Sequence, residues 1–540
     1  MADILLIQPP IRDYYLTKKR TIPYGLMSIA ACLEQKGFTV ELLDALATTK
    51  SRVINTPPEM AYLESFYGQE DRSLFSLFHH YRHYGYTFQH IGQLLQQQAK
   101  NTPQESKPFL VGITSLFTPY AGMATQTAEI VKKFLPDCQV VLGGHHPTEL
   151  PHEALESKAV DFIIRGEGEV SMVLLAEALQ KGIDPQKIPG VCCRNGDNSL
   201  IINEPAVMQN LDEYPLPATN LMHAKYYLRG DRPGYTILAS RGCPYNCSYC
   251  AMGRSPIGAY RQRSVDRIIA EMDCAVQLHN CGFFDFEDEN LSHDKKWFAS
   301  LLKAIIQTFA GNNLELRAMN GLFPPSLDEN LLKLMKKAGF KTLNLSLGTT
   351  SGHQLRRFNR PDVRKSFDYL LGLAGIHELA CVGYIIVGAP FQDPMQSMED
   401  LLYLWRNQVL AGISVYYPAP GSFDYEQCQR LSLLPEKESL FRSSALPLDH
   451  TTSRLQTVTL LRMGRIVNFM KMMTDQGIPI PDAETCNESY ISPSVDRLAM
   501  GHMLLKWFFK DGNIRGVDGD GQIYIHAVDS ELVIKFLQSL

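Results

Sequence analysis

A repeated strand-helix unit is the feature that most constrains the fold of this chain. Between residues 236 and 417, six short β-rich runs alternate with helical stretches such as 265–278, 327–338 and 397–407. Six successive units of this kind predict a partial parallel barrel, whose functional residues lie on the loops after its strands. The predicted strands are 236–239, 283–286, 314–318, 342–347, 381–387 and 414–417.

A second alternation precedes the barrel. Helical stretches such as 26–35 and 171–179 separate short apolar runs. This order predicts an α/β fold with a doubly wound, Rossmann-like sheet, whose ligand lies beyond the carboxyl ends of the strands. The pattern weakens in an insertion between residues 45 and 107, which is predicted to be helical at 91–99. The predicted strands of this sheet are 4–7, 38–43, 109–115, 140–142 and 162–164.

Composition divides the chain into four parts. Prolines and polar residues accumulate between residues 203 and 235, which is typical of a linker,. Beyond Gly421 the strand-helix rhythm fades, and 453–473 and 495–509 have helical patterns. We therefore predict a Rossmann-like domain, a linker, a partial barrel and a small, mainly helical C-terminal cap or substrate domain. Their bounds are 1–202, 203–235, 236–421 and 422–540.

Charge and hydropathy argue against several classes of protein. The 540 residues include 52 Lys+Arg and 57 Asp+Glu, and the net charge of -5 is spread without a basic tail. Nucleic acid is therefore not a predicted partner. There is no apolar run of about 18 residues, and the first apolar run meets Pro9 too early for a signal peptide, so we predict a cytoplasmic protein without a membrane span.

Three of the 12 cysteines lie within eight residues, directly after the first predicted barrel strand. Cys243, Cys247 and Cys250 have the spacing Cys-x3-Cys-x2-Cys. Each thiolate can hold one iron of a 4Fe-4S cluster, and the lack of a fourth cysteine leaves one iron open to a substrate. Tetrahedral zinc is the alternative, but it usually takes paired Cys-x2-Cys units and a fourth Cys or His, which this segment lacks. The spacing favours a catalytic cluster.

This cysteine loop resembles that of the radical S-adenosylmethionine superfamily. Tyr249, just before the last cysteine, fits the aromatic residue often found there. The resemblance implies that S-adenosylmethionine chelates the open iron and that electron transfer from the cluster cleaves it to a 5'-deoxyadenosyl radical. It also implies a low-potential electron donor such as flavodoxin or ferredoxin.

The same resemblance implies S-adenosylmethionine contacts at other strand ends. Glu287 and Asp288 follow the second strand, where relatives place acidic or polar residues; a solvated strand end is the alternative reading. Ser346 resembles a ribose-region position, although this chain has Ser-Leu-Gly-Thr where many relatives have Glu followed by Ser or Thr and Gly. Gly388 ends a fifth strand that resembles a segment packing on the adenine, and any buried parallel strand is similarly apolar.

A doubly wound domain before such a barrel resembles the cobalamin-binding subfamily of these enzymes, over roughly residues 1–421. Glycines in the segment Gly-Gly-His-His-Pro-Thr after the fourth strand let a bulky corrin tail approach the backbone, and nearby hydroxyls can bind its polar groups. A dinucleotide is the rival ligand, but no Gly-x-Gly-x-x-Gly follows the first strand. The predicted cobalamin contacts are Pro10, Ser115, Gly143, Gly144, His145, His146, Thr148, Gly166, Glu167 and Gly168.

The lower axial ligand of the cobalt stays open at this stage. The chain lacks the Asp-x-His-x-x-Gly loop with which many cobalamin proteins ligate cobalt through histidine. His145 and His146 are therefore either turn or tail contacts or cobalt ligands. For Gly166 and Gly168, an ordinary strand-helix turn is the alternative to a cofactor contact.

With both cofactors, the resemblance implies a two-stage methylation. One S-adenosylmethionine methylates cobalamin, a second supplies the radical that abstracts a substrate hydrogen, and the substrate radical takes the methyl group. We therefore predict a cobalamin-dependent radical S-adenosylmethionine methyltransferase acting on an unactivated carbon of a small-molecule, natural-product or cofactor-type substrate. The alternatives are a non-methylating cyclase or ring-rearranging enzyme with the same cofactors and, from another class, a cobalamin- or cluster-binding sensor.

Overall fold

The computed structural model describes residues 2–17, 21–101, 107–320, 322–481 and 496–540. Its N-terminal part is a doubly wound domain with a three-stranded side sheet. The elements of this part are β1 Ile4–Gln8, β2 Ile11–Asp13, α1 Tyr24–Gln35, β3 Val40–Asp44, β4 Ser51–Val53, α2 Glu64–Tyr67, β5 Arg82–Tyr84, α3 Phe88–Asn101, β6 Leu110–Thr114, α4 Ala121–Phe134, β7 Gln139–Gly143, α5 His145–Glu149, α6 Pro151–Ala154, β8 Phe162–Ile164, α7 Gly168–Lys181, β9 Val191–Arg194 and β10 Leu200–Ile201.

The main sheet has the strand order β10-β9-β8-β7-β6-β1-β3, and the five strands from β8 to β3 are parallel. Helices α1 and α7 cover one face, and α3 and α4 cover the other. Both faces are therefore buried, which explains why β1 is a continuous apolar run rather than an alternating one. The chain leaves β1 toward β3 on one side and toward β6 on the other, so the strand order reverses between β1 and β6. The predicted doubly wound sheet is confirmed, and its ligand end lies at this switch point.

The insertion between residues 45 and 107 contains α3, as predicted, and two strands that the sequence pattern did not indicate. Strands β4 and β5 join β2 in an antiparallel sheet of order β2-β5-β4. The same insertion contacts the C-terminal region, because the Arg72 amide donates to the Val517 carbonyl and Asp71 pairs with His526. Part of it, residues 102–106, lies outside the described residues.

The second part is a partial barrel of six parallel strands. Strands β12, β15 and β16 form one sheet and β17, β18 and β19 another, and isolated parallel bridges join the two. The predicted six-unit barrel is therefore confirmed. Its elements are β11 Leu228–Arg229, β12 Arg232–Ile237, β13 Ser240–Arg241, β14 Arg261–Gln262, α8 Val265–His279, β15 Phe283–Phe286, α9 Lys295–Thr308, β16 Glu315–Ala318, α10 Glu329–Ala338, β17 Thr342–Gly348, α11 Gly352–Arg357, α12 Arg364–Ile376, β18 Ala380–Val387, α13 Pro394–Arg406 and β19 Leu410–Val415.

Most strand bounds differ from the prediction by one or two residues, and the first and last barrel strands differ by more. The first barrel strand begins at Arg232, inside the predicted linker, because it forms a hairpin with β11. The last strand runs from Leu410 to Val415 rather than from residue 414 to 417. These are the residues that pair with β18. Tyr416 and Tyr417, which the predicted strand included, follow it instead. In both cases strand pairing, which the local pattern does not contain, sets the boundary.

The C-terminal part packs helices against the barrel and the insertion. Both predicted cap helices are present as α15 and α16, although residue 495, where the second was predicted to begin, lies outside the described residues. None of the helices in the described ranges is long and apolar enough to cross a bilayer. The elements are α14 Phe423–Arg430, α15 Arg454–Asp475, α16 Arg497–Asp511, β20 Arg515–Val517, β21 Ile523–Ile525 and α17 Ser530–Ser539. Short 3-10 helices occupy Pro58–Leu63, Thr118–Tyr120, Leu211–Glu213, Thr219–Leu221, Ala224–Tyr226, Pro256–Gly258, Pro324–Ser326, Glu438–Leu440 and Ser443–Ala445.

Candidate functional site

The three motif cysteines lie on a closed loop at the carboxyl end of the first barrel strand. Strands β13 and β14 pair antiparallel and bring the two ends of the loop together. Gly242 has φ +81°, and a Cβ there would lie 2.3 Å from the Ala259 carbonyl oxygen, so the turn into Cys243 requires glycine,. The Cys243 amide donates to the Gly258 carbonyl at 2.9 Å. The loop is thus fixed by its own backbone.

The donor set of this loop fits an iron-sulfur cluster. Every cysteine in the described ranges is a free thiol. Burial raises the pKa of Cys243, and raises that of Cys250 to about 11, so cluster binding must displace protons from these thiols,. Among the described residues, no three His, Cys, Asp or Glu side chains converge as a single metal ion requires. A 4Fe-4S cluster does not need such convergence, because each thiolate takes a different iron.

Acidic residues after β15 hold the start of the cysteine loop. Asp288 accepts hydrogen bonds from the Ala239 amide at 3.2 Å and from the backbone and hydroxyl of Ser240. Burial raises its pKa to about 7. Glu289 accepts from the Gly242 amide at 3.1 Å. Asp288 therefore lies at the start of the cysteine loop, and its carboxylate is already bonded to protein. Its contact with S-adenosylmethionine, like that of the half-buried Glu287, stays a prediction.

Asn290 is a neighbour of the loop that the sequence analysis missed. Its Nδ2 lies 3.9 Å from the Cys243 sulfur, and its side chain is 3% exposed. Its Oδ1 is buried and has no partner in the described structure. An unpaired buried acceptor is costly, so this atom fits a ligand with a donor. The clue in the sequence was only its position at a strand end.

Tyr249 and Ser346, predicted independently, share one partner. Arg360 donates to the Tyr249 hydroxyl at 2.9 Å and to the Ser346 Oγ at 3.0 Å. Just before it, the Phe358 carbonyl accepts from the Ser248 amide, and Asn359 donates to the Asn246 carbonyl. Residues 358–360 therefore hold the cysteine loop through three hydrogen bonds. No local pattern marked this segment.

The C-terminal part covers the rim of the barrel. Gly388, the predicted adenine neighbour, has φ +75°, and a Cβ there would lie 3.2 Å from the Thr457 hydroxyl of α15. Asp424 accepts a hydrogen bond from Ser248, inside the cysteine motif, at 3.2 Å, and burial raises its pKa to about 6. The predicted cap thus contacts both the fifth strand and the cysteine loop, while the adenine contact of Gly388 stays a prediction.

The ligand end of the N-terminal sheet has an open recess with an unpaired hydroxyl. Ser115 is 2% exposed, and its Oγ has no partner among the described residues. A Cβ on Gly143 would meet nothing within 4 Å, whereas one on Gly144, at φ +125°, would lie 2.7 Å from the Ser115 carbonyl oxygen. Because Gly144 has no side chain, the turn can pass close to the end of β6. Gly143 has open space where a side chain would lie. A bulky ligand with polar groups fits these residues.

The other predicted residues at this end have mixed surroundings. Thr148 donates to the Gly144 carbonyl at 2.8 Å and accepts from the Gly166 amide at 2.9 Å, so its hydroxyl joins two loops. Pro10 is buried between β1 and β2. Burial lowers the pKa of His145, and lowers that of His146 to about 4, so both imidazoles are neutral at pH 7. Neutral imidazole is the form that ligates metals, but a cobalt contact of either histidine stays a prediction.

The loop Gly166-Glu167-Gly168 is occupied by protein contacts. Gly166 has φ +86°, and a Cβ there would lie 2.3 Å from the Ala206 carbonyl oxygen of the linker. A Cβ on Gly168 would lie 2.9 Å from Ile29 of α1. The sequence suggested close approach of a cofactor, but the close neighbours in the structure are the linker and a helix. The alternative of an ordinary strand-helix turn accounts for both glycines, and their cofactor contact stays a prediction.

Glu167 connects the N-terminal domain to the cysteine loop. Its carboxylate pairs with Arg241 at 3.0 Å and with Arg261 at 2.7 Å, while Glu169 pairs with Arg241 at 2.5 Å. Arg241 lies two residues before Cys243, and Arg261 follows the loop. Glu167 therefore contacts the two strands that hold the cluster loop, and its predicted cofactor contact stays a prediction. The arginines that flank the motif were the only signal in the sequence for these ion pairs.

Two family descriptions match the chain. Residues 64–176 match the B12 binding domain, and residues 237–401 match the radical SAM superfamily. The first covers most of the insertion and strands β6 to β8 of the doubly wound sheet, and the second covers the barrel from the end of β12 into α13. Their order along the chain is the order of the two domains described above.

Curated relatives and solved structures resemble the chain over most of its length. An uncharacterised methyltransferase of Pyrococcus horikoshii is 26% identical over 371 residues, which are 67% of this chain and 79% of that protein. The anaerobic magnesium-protoporphyrin IX monomethyl ester cyclase of Rubrivivax gelatinosus is 27% identical over 65% of this chain and 66% of its own length. The radical S-adenosylmethionine methyltransferase TsrM from Kitasatospora setae, solved with cobalamin and a 4Fe-4S cluster, has a TM-score of 0.61 at 18% identity, covering 80% of this chain and 79% of that one. The similarity to the TsrM structure shows a shared fold.

Proposed function

The chain belongs to the radical S-adenosylmethionine enzymes that carry a B12-binding domain, and on this premise we propose that it transfers a methyl group to an unactivated carbon of a small molecule. One observation carries the proposal: the N-terminal domain is tied directly to the cysteine loop through Glu167, Arg241 and Arg261. A methyl group carried by the first domain and a radical formed on the second can react only if the two domains are held in a fixed position relative to each other. The name of the Pyrococcus relative also supports methylation.

The residues fit the two cofactor sites as follows. Cys243, Cys247 and Cys250 would hold the cluster, and the recess of Ser115 and Gly143 would hold cobalamin. When bound, the cluster and S-adenosylmethionine supply a carbon-centred radical, and cobalamin supplies a transferable methyl group. An external low-potential donor of the flavodoxin or ferredoxin type would supply the electron. The protein's own contribution is to fix the loop, through Asp288 and the arginine pairs, and to cover the barrel mouth with the C-terminal cap.

The proposal is tested by anaerobic reconstitution of the full chain with iron, sulfide and hydroxocobalamin. S-adenosylmethionine and a low-potential reductant are then added, and two products are measured by chromatography. We expect 5'-deoxyadenosine to form only with reductant and S-adenosylhomocysteine to form only with cobalamin. The cobalamin-free protein, carrying the same cluster, is the control. Equal S-adenosylhomocysteine formation with and without cobalamin contradicts the proposed methylation.

A cyclase is the second candidate, because the Rubrivivax relative has that name and covers 65% of the chain at 27% identity. Such an enzyme also generates 5'-deoxyadenosine, but it does not transfer the methyl group of S-adenosylmethionine to cobalamin. Release of 5'-deoxyadenosine without any cobalamin-dependent S-adenosylhomocysteine therefore favours the cyclase. A sensor without turnover would release neither product.

Gly143→Leu is expected to weaken cobalamin binding while leaving the fold intact. A Cβ at this position meets open space, so the larger side chain has room but occupies the approach to Ser115. We expect at least a tenfold increase in the dissociation constant for hydroxocobalamin, or about 1.4 kcal/mol. The measurement is a titration followed by the visible absorption of the corrin.

Gly372→Leu is the matched control for this experiment. Gly372 lies on α12, on the outside of the barrel, and a Cβ there also meets nothing within 4 Å. It should bind cobalamin like the wild type. If both variants bind equally well, the recess at Gly143 is not the cobalamin site.

A further inference from the structure

Arg360 lies against the cysteine loop in an unusual electrostatic setting. Its guanidinium donates to the Tyr249 hydroxyl at 2.9 Å, to the Ser346 carbonyl at 2.7 Å and to the Ser346 Oγ at 3.0 Å. The Cys247 thiol lies within electrostatic reach of the guanidinium. The Arg360 Nε is buried and has no partner in the described part of the chain. None of the hydrogen-bond partners of Arg360 is a carboxylate.

Several other buried or partly buried arginines of this protein have carboxylate partners. Arg241 pairs with Glu167 and Glu169, Arg263 pairs with Glu271, and Arg317 pairs with Asp285. Among the described residues, no carboxylate forms an ion pair with Arg360. Arg360 is partly buried and has no carboxylate partner, so a negative group beside it would stabilise its charge,.

A glycine beside Arg360 leaves room for its guanidinium. Gly348, at the end of β17, has φ +83°, and a Cβ there would lie 2.9 Å from the Arg360 Nε. A larger residue would push the guanidinium away from Ser346 and the loop. The glycine in the Ser-Leu-Gly-Thr segment therefore makes room for the cation. The position of Arg360 is set by strand β17 and the cysteine loop together.

We propose that Arg360 is a positioning residue that compensates the negative charge of the cluster and raises its reduction potential. This inference rests on the proposed cluster. Three thiolates give the site a net negative charge, and one-electron reduction adds another. A cation beside Cys247 stabilises the reduced form more than the oxidised form. The electron comes from the external low-potential donor, which is oxidised by one electron as the cluster is reduced.

The test is the midpoint potential of the cluster, measured by EPR-monitored titration of the reconstituted full chain without cobalamin. Arg360→Gln removes the charge and should shift the potential to a more negative value. Arg360→Lys keeps the charge and should show a smaller shift. Ser346→Asp places a carboxylate beside the intact guanidinium, so it should also shift the potential negatively, and it decides the question if Arg360→Gln does not take up iron.

Arg254→Gln is the matched control, because Arg254 lies on the same loop but is 47% exposed and pairs with Glu426. Its cluster should keep the wild-type potential. An unchanged potential in both Arg360→Gln and Ser346→Asp overturns the inference. Equal shifts in the Gln and Lys variants also overturn it, because contact geometry rather than charge would then be responsible. A wild-type chain that binds no iron would instead refute the proposed function, and iron content separates that outcome from the others.

Discussion

Cys243→Ala is expected to reduce bound iron and 5'-deoxyadenosine release to background. Cys243 is one of the three thiols available to the cluster, and its backbone amide is fixed by Gly258. Without Cys243, two motif cysteines remain. The neighbouring side chain of Asn290 is an amide and cannot replace the lost thiolate. The measurements are iron and sulfide content after anaerobic reconstitution, the visible absorption of the cluster, and product formation with S-adenosylmethionine and reductant.

A suitable control is Cys274→Ala. Cys274 lies on α8, is partly buried and is a free thiol outside the motif. This variant should retain wild-type iron content and product release. A Cys243→Ala protein that keeps a full cluster and turns over would show that another ligand completes the site, and the assignment of the three cysteines would then be wrong.

Arg241→Ala is expected to destabilise the protein by about 3–5 kcal/mol, the usual cost of removing one partner from a buried ion pair. The side chains of Glu167 and Glu169 are 6% and 7% exposed, and Arg241 pairs with both. Glu167 keeps its contact with Arg261, but Glu169 loses the cation that compensates it. Calorimetric unfolding of the full chain should show a lowered transition for the barrel and the N-terminal domain.

Two comparisons make this expectation specific. Arg254→Ala removes an exposed pair with Glu426 and should cost no more than about 1 kcal/mol,. If the cost of Arg241→Ala comes from an unpaired carboxylate, Glu169→Gln in the same chain should recover part of the loss. Equal stability of the Arg241→Ala and Arg254→Ala proteins would contradict a structural role for the interdomain pairs.

The sequence by itself determined the two domains and the chemistry of the cysteine loop. Strand and helix periodicity is local, so the apolar runs of β1 and β8 and the six barrel units were visible without a structure. The predicted helix 327–338 ends where α10 ends, because Gly339 follows it at φ +114° and glycine readily adopts a positive φ,. The spacing of Cys243, Cys247 and Cys250 identified the donor set for the same reason: the ligands lie within one short segment.

Only the tertiary structure decided how that loop is held. Arg360 and Tyr249 are 111 positions apart, and Glu167 and Arg241 are 74 apart, so no local pattern relates them. The need for glycine at position 166 comes from Ala206 in the linker, which the sequence does not place beside it. Backbone preference and side-chain chemistry are properties of short segments. Compensation of a buried charge depends on which segments meet after folding, and this is why the ion pairs of Glu167 with two arginines could not be predicted from the sequence.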